Sequence, residues 1–270
     1  MQRTTVTVLG TLILLLTSTF ASAHEFWIQT EQLHGEREGL VLVRLMHGER
    51  FAGQIVTRND PQIERFEFVQ QLNDEDEKIN QVRGRHQSPT SFLRPKSSGV
   101  IVYQSKHYTN NLEWERFDAY LAEEGLGYIA DERAKLGESK IIGREAYSRC
   151  AKSIQVTKHD LRSSAEIDQI VGLPLEVLLT SIESAPGGNG TQVRAWVGFE
   201  GQPIAGLRVV AVSKEDHTNL IELFTDEDGM VEFVADQPGE WMLTTIHIQR
   251  ADQIEDSEWE SFWASSVFSI

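Results

Sequence analysis

Short runs of branched or alternating apolar residues, separated by polar turns, recur along most of the chain, and helical spacing is confined to one passage. Between Gly39 and Met46 the run Leu-Val-Leu-Val-Arg-Leu is short, β-branched and compact, the pattern of a buried strand. Phe66 to Val69 and Val100 to Tyr103 read the same way, while Asn73–Lys78 and Arg83–Pro89 read as exposed connections. From Tyr147 to Ile154 the side chains alternate, with Tyr147, Arg149, Ala151 and Ser153 on one side and Cys150 and Ile154 on the other. A helix is predicted over Leu112–Glu124, with Thr109, Asn110 and Asn111 as cap oxygens, Gly125 as the stop, and Leu112, Phe117, Tyr120 and Leu121 sharing the face that covers a sheet. A second short helix is predicted over Tyr128–Lys135.

The last hundred residues are more regular. Strands are predicted at Leu175–Leu179, Val193–Val197, Val209–Val212, Val231–Val234 and Trp241–Ile248, punctuated by Pro186–Gly190, Gly201-Gln-Pro203 and a hairpin turn at Asp228-Gly229. Strands at this spacing, without helices, indicate an immunoglobulin-like antiparallel sandwich. The predicted fold is therefore mainly β, with two β-sandwich domains: residues 24–172, carrying one or two short helices, and the immunoglobulin-like residues 173–270. The boundary falls near Gly172-Leu-Pro174.

The first residues carry a different signal. A cationic start at Met1-Gln2-Arg3, an apolar stretch from Val6 to Phe20 and the small-x-small triplet Ala21-Ser22-Ala23 form a secretory leader over residues 1–23. The stretch is short for a membrane span, so the leader is read as removable, the protein as periplasmic, and His24 as the new amino terminus. A terminal histidine places an α-amine and an imidazole on one residue, and these can close a chelate ring on a transition metal.

Charge narrows the partners. With 25 Lys and Arg against 41 Asp and Glu, the formal net charge is −16, which repels nucleic acid and anionic lipid and attracts cations. The single cysteine, Cys150, excludes an internal disulfide and reads as a small buried hydrophobe. A glycine-rich phosphate loop, a Gly-x-Ser-x-Gly elbow and a Cys-x-x-Cys pair are all absent from the sequence, so the expectation is a binding protein and not an enzyme.

Several segments together resemble a known family. They are His24-Glu-Phe-Trp-Ile28, Phe117–Leu126, Arg144-Glu-Ala-Tyr-Ser-Arg149, Gly201–Gly206, Thr225-Asp226 with Gly229, and Trp259-Glu-Ser-Phe-Trp263. The family is bacterial, periplasmic and of formally unknown function, and is associated with the periplasmic component of nickel or cobalt uptake. The resemblance implies a two-domain β-rich protein that binds or delivers metal, passing it to a membrane transporter.

Nickel and cobalt, with copper as a further candidate, favour nitrogen donors. His24 heads the ligand candidates, and the resemblance also places a histidine there. His47, on the alternating face of Val41, Val43 and Leu45, and His247, in phase with Trp241, Leu243 and Thr245, follow. His107, in phase with Ile101 and Tyr103, is the fourth. Asp226-Glu-Asp-Gly229 lacks the remaining spacing of a calcium loop, and the tryptophans read mainly as sandwich core. The competing expectation is a cell-surface binding or assembly module of immunoglobulin-like type that holds no metal.

Overall fold

The computed structural model describes residues 25–34, 39–73, 76–158 and 160–270. The leader over 1–23 and His24 lie outside the described residues.

The described chain opens with an antiparallel meander of β1 (Glu25–Gln32), β2 (Val41–Glu49) and β3 (Ala52–Val56), in which Phe26 lies opposite His47 and Trp27 opposite Met46. A tight helical turn at Asp60–Gln62 leads to β4 (Ile63–Asn73) and β5 (Asp76–Gln81). β6 (Ser91–Leu93) returns to pair with β2, followed by β7 (Gly99–Ser105) and β8 (Tyr108–Leu112). Two helices, α1 (Trp114–Glu123) and α2 (Gly127–Lys135), precede the long β9 (Gly143–Gln155) and the single-turn α3 (Ser164–Ile167). Then come β10 (Leu175–Ser184), β11 (Thr191–Phe199), β12 (Gln202–Pro203) and β13 (Arg208–Ser213). The chain finishes with β14 (Leu220–Phe224), β15 (Met230–Ala235), β16 (Glu240–Arg250) and β17 (Trp259–Ser269).

Among the described residues these strands form three sheets, and the mainly β, sandwich-like class read from the alternation is the one observed. The central sheet runs β14-β13-β16-β17-β9-β7-β4-β5, with β8 also on β9. Within it β17 pairs parallel with β9, so strands from both sides of residue 172 share one hydrogen-bonded ladder. β9 is buried on both faces because both are covered. On one face Ala151, Ile101, Tyr103, Phe66 and Phe68 meet Ile28, Val43 and Leu45 of the β1-β2-β3 sheet. On the other, Cys150, Val102, Leu243 and Phe262 meet Val177, Val193, Ala195 and Phe233 of the β10-β11-β12 sheet, to which β15 is added. α1 and α2 cover the first face beside the meander, placing Phe117, Tyr120, Leu121 and Ile129 on Ile246, Ile248 and Trp259.

A charged group sits inside this packing. Lys152, 1% exposed, lies 2.6 Å from Asp168 and 3.2 Å from Glu176. Glu176 also accepts the backbone N–H groups of Val171, Gly172 and Leu173 at 2.8, 3.0 and 3.1 Å. The segment read as a domain boundary is thus tied to β9 and β10 by a buried ion cluster.

Three local readings are corrected. Thr109, Asn110 and Asn111 do not cap α1; they belong to β8, where Asn110 lies opposite Glu145, and the N-cap is Glu113, whose side chain makes no cap bond. Pairing along the edge of β9 outweighs their capping tendency. The stop is as expected: Gly125 has φ of 72°, its N–H reaches the carbonyl of Ala122, and Leu126 N–H reaches that of Leu121. Asp76–Lys78 is not a loop but part of β5, because β4 offers it a partner. Asp228-Gly229 does not close a hairpin: β14 pairs with β13 and β15 with β11, so the turn carries the chain from one sheet to the other.

Candidate functional site

The start of β1 is held against a tight hairpin. Arg50 and Phe51, the two turn residues between β2 and β3, have φ of 51° and 65°, a left-handed pair that matches the twist of the strands but is costly for non-glycine residues. Two contacts hold it. Arg50 N–H donates to the Glu25 carboxylate at 2.6 Å, and the Phe51 ring sits edge-on to Trp27 at 6.0 Å. Gly48 and Gly53 let β2 and β3 close over Trp27, since a Cβ on Gly53 would lie 2.6 Å from the indole and 2.5 Å from the His47 carbonyl oxygen. The hairpin therefore fixes the backbone that carries His47.

Two clefts flank this strand start. The first is small, about 120 Å³, and is lined by Glu25, Glu49, Glu123, Glu124, Arg50 and Arg208 with the Trp263 ring. Burial pushes Glu25 up to about 7 and Glu124 up to about 7, against the weaker opposing pull of Arg50 on the first and Arg208 on the second. The second cleft, about 460 Å³, lies between the meander and the central sheet. Its walls include His47, Phe26, Tyr103, Tyr108, Tyr147 and Arg149, and Arg58 and His86 close one side.

Arg149 is a buried guanidinium held among rings, 4.8 Å from the Trp263 centroid, 5.1 Å from Tyr147 and 5.9 Å from Phe26. Tyr147 stacks on Tyr108 at 5.3 Å, and Phe26 packs on Tyr103 at 4.9 Å. Burial raises both Tyr103 and Tyr108 above the usual phenol range, and their two hydroxyls hydrogen-bond each other. Behind the wall, Glu145 accepts hydrogen bonds from Tyr120 and Ser261, and the Trp263 indole N–H donates to Ser261 Oγ at 3.1 Å.

His47 lines the second cleft and also an open groove shared with Glu49 and His217. The other two described candidates lie on the opposite face of the central sheet. His107 is not in phase with Ile101 and Tyr103, because β7 ends at Ser105 and the chain turns; its Nε2 lies 2.9 Å from Glu260 and its ring is edge-on to Phe262. His247 lies opposite Phe262 and 4.5 Å from the Phe199 ring, and burial lowers its pKa. Gln249 links the pair, donating to the other oxygen of Glu260 at 3.0 Å. His107 thus contacts Glu260 directly, His247 is connected to that carboxylate only through Gln249, and His47 lies on the other face of the sheet from both. Among the described residues no group of three His, Cys, Asp or Glu side chains is arranged to hold an ion.

Sequence reading did not single out Arg149 or the tyrosine wall as functional. The signal was present in the alternation of Tyr147, Arg149 and Ala151 on one face, but a buried arginine among aromatic rings shows only when the third layer is in place. Cys150 is buried and its thiol is pushed up to about 12 by burial, in keeping with its reading as core.

Residues 21–249 match the family described as a domain of unknown function, DUF4198. The chain belongs to that family. In this DUF4198 protein the match takes in the meander, the helices, every residue that lines the second cleft and the β10-β11-β12 sheet with β15, and it stops before β17, whose Trp263 lines the first cleft. No curated protein and no solved structure matches it.

Proposed function

We infer that this protein is a periplasmic, non-catalytic carrier of nickel or cobalt, with copper as a further cargo, that holds the ion at the processed amino terminus and passes it to a membrane transporter. The observation that carries the reading is the β1–β2 register: His47 lies opposite Phe26, two residues from His24 in the chain, on a backbone that the Arg50-Phe51 turn fixes. The α-amine and imidazole of His24 would supply two nitrogens and His47 a third, leaving the remaining positions to water or to the partner that receives the ion. A site built from a chain end and one strand residue is open and exchangeable, as a cargo site needs to be and a structural cage does not. Among the described residues no helix is long and apolar enough to cross a membrane.

The test is calorimetric titration of nickel into protein beginning at His24. Replacing His47 by Ala should weaken binding at least tenfold, while the same change at His107 or His247, across the central sheet, should leave it unchanged. Equal effects at all three histidines, or none at His47, would remove the proposed ligand set.

A further inference from the structure

The side chains of Lys152, Asp168 and Glu176 are 1%, 0% and 3% exposed, so the cluster they form is closed to bulk water. Lys152 Nζ lies 2.6 Å from Asp168 Oδ1 and 3.2 Å from Glu176 Oε1, and it donates to the Gln169 carbonyl at 3.0 Å. Asp168 Oδ1 also accepts the Gln169 N–H, and its Oδ2 accepts the Leu179 N–H, both at 2.9 Å. Burial outweighs the opposing pull of Lys152 and of these two N–H groups and raises the Asp168 carboxyl above the ordinary aspartate range, toward the protonated form whose carbon is open to attack. A nitrogen nucleophile, a carboxyl carbon and a second carboxylate are thus held in contact from β9, from the end of α3 and from β10. Reactants fixed in this way meet without the entropy loss of a bimolecular encounter. Exchanging two buried charges for a neutral amide relieves their desolvation, and the exclusion of water protects the product from hydrolysis.

We propose that Lys152 and Asp168 join, once the chain has folded, in an intramolecular amide bond between Nζ and Cγ, with Glu176 carrying the proton. The ion pair is the reactant state. One proton passes from the ammonium to Asp168 Oδ1, and the resulting amine attacks Cγ. Negative charge develops on Oδ2, where the Leu179 N–H already donates. Glu176 Oε1 takes a second proton from the nitrogen and returns it to Oδ1, the bond from Cγ to Oδ1 breaks, and one water leaves. Of the three ammonium protons two depart in that water and one stays on the amide, Glu176 ends unchanged, and no oxidant or co-reactant is consumed. The bond straps the middle of β9 to the segment before β10, where the two halves of the chain meet. The single cysteine, Cys150, provides no internal disulfide for that purpose. The inference requires neither His24 nor a metal, so it stands or falls separately from the carrier reading.

The experiment is electrospray mass spectrometry of the full chain, unfolded in acid, with tandem sequencing of its proteolytic peptides. The chain should be lighter than its sequence mass by one water, and the loss should lie in a branched peptide that joins Lys152 to Asp168. Asp168→Ala and Glu176→Gln should each show their own full sequence mass, the first for want of the carboxyl and the second for want of the proton carrier. Circular dichroism checks that Glu176→Gln has folded, and the result on the unaltered chain depends on no variant. Full sequence mass in the unaltered chain, a water loss confined to a linear peptide as an aspartyl imide would give, or a branch at Glu176 in place of Asp168 would overturn the proposal. Loss of water in Glu176→Gln to the same extent as in the unaltered chain would overturn the role given to Glu176.

Discussion

Lys152, with its ammonium 1% exposed between Asp168 and Glu176, shows how much can rest on one side chain in this molecule. Removing the cation leaves two carboxylates facing each other out of water, so Lys152→Met should cost about 3–5 kcal/mol, read by urea denaturation. A loss under about 1 kcal/mol would mean that the cluster relaxes into solvent. Glu124 makes the opposite kind of statement. Its carboxyl is raised from 4.5 to about 7 mainly by burial, so the folded state binds its proton more tightly than the unfolded chain does. Stability from this group is therefore fully present below about 4.5 and is lost as pH rises through about 7, by up to about 3 kcal/mol. Glu25, raised to about 7 in the same cleft, contributes over the same window, so Glu124→Gln should reduce the slope between pH 5 and pH 8 by about half. An unchanged slope in the variant would show that Glu124 is not its source.

At the scale of elements, the turn that moves the chain between sheets depends on Gly229. Its φ is 75°, and a Cβ there would lie 2.6 Å from the Val197 carbonyl oxygen, so Gly229→Ala combines backbone strain with a backbone clash. A loss of about 2 kcal/mol or more in thermal or urea unfolding is expected, against near-neutral behaviour if the turn simply opens. This turn also marks what alternation could and could not reveal. β2, β4, β7, β9, β10, β11, β13, β15 and β16 are legible in the sequence because each buries a branched or alternating face. β17 was visible only as a tryptophan motif, and β14 is short, half-exposed and polar at its flanks, so both were read only when β16 and β13 supplied partners. The same limit applies to the site. His47 was placed by its phase with Leu45, whereas His107 was misplaced because β7 ends two residues earlier, and Arg149 acquired its surroundings from Phe26 and Trp263, each more than a hundred residues away along the chain.

On the scale of the whole molecule, the parallel pairing of β17 with β9 joins the two halves of the chain through one central sheet. Its two faces are covered by different sheets, and the segment from Asp168 to Leu173 is pinned beneath by the buried ion cluster. Separating residues 24–172 from 173–270 would expose the ladder of β9 on one side and of β17 on the other. Calorimetry should accordingly show one cooperative transition with agreeing calorimetric and van't Hoff enthalpies, and two resolved transitions would show that the halves unfold independently.

The shared sheet also gives the meander a rigid base, so that the start of β1, the Arg50-Phe51 turn and His47 keep a fixed relation beside the two clefts. The carrier reading depends on that relation and on a free chain end. The most direct measurement compares nickel binding, by calorimetry with elemental analysis of the recovered protein, between a form that begins at His24 and one with a single alanine before it. The first should retain about one equivalent, with affinity rising with pH as amine and imidazole lose their protons, and the second should retain none. Equal retention by both forms would contradict the account.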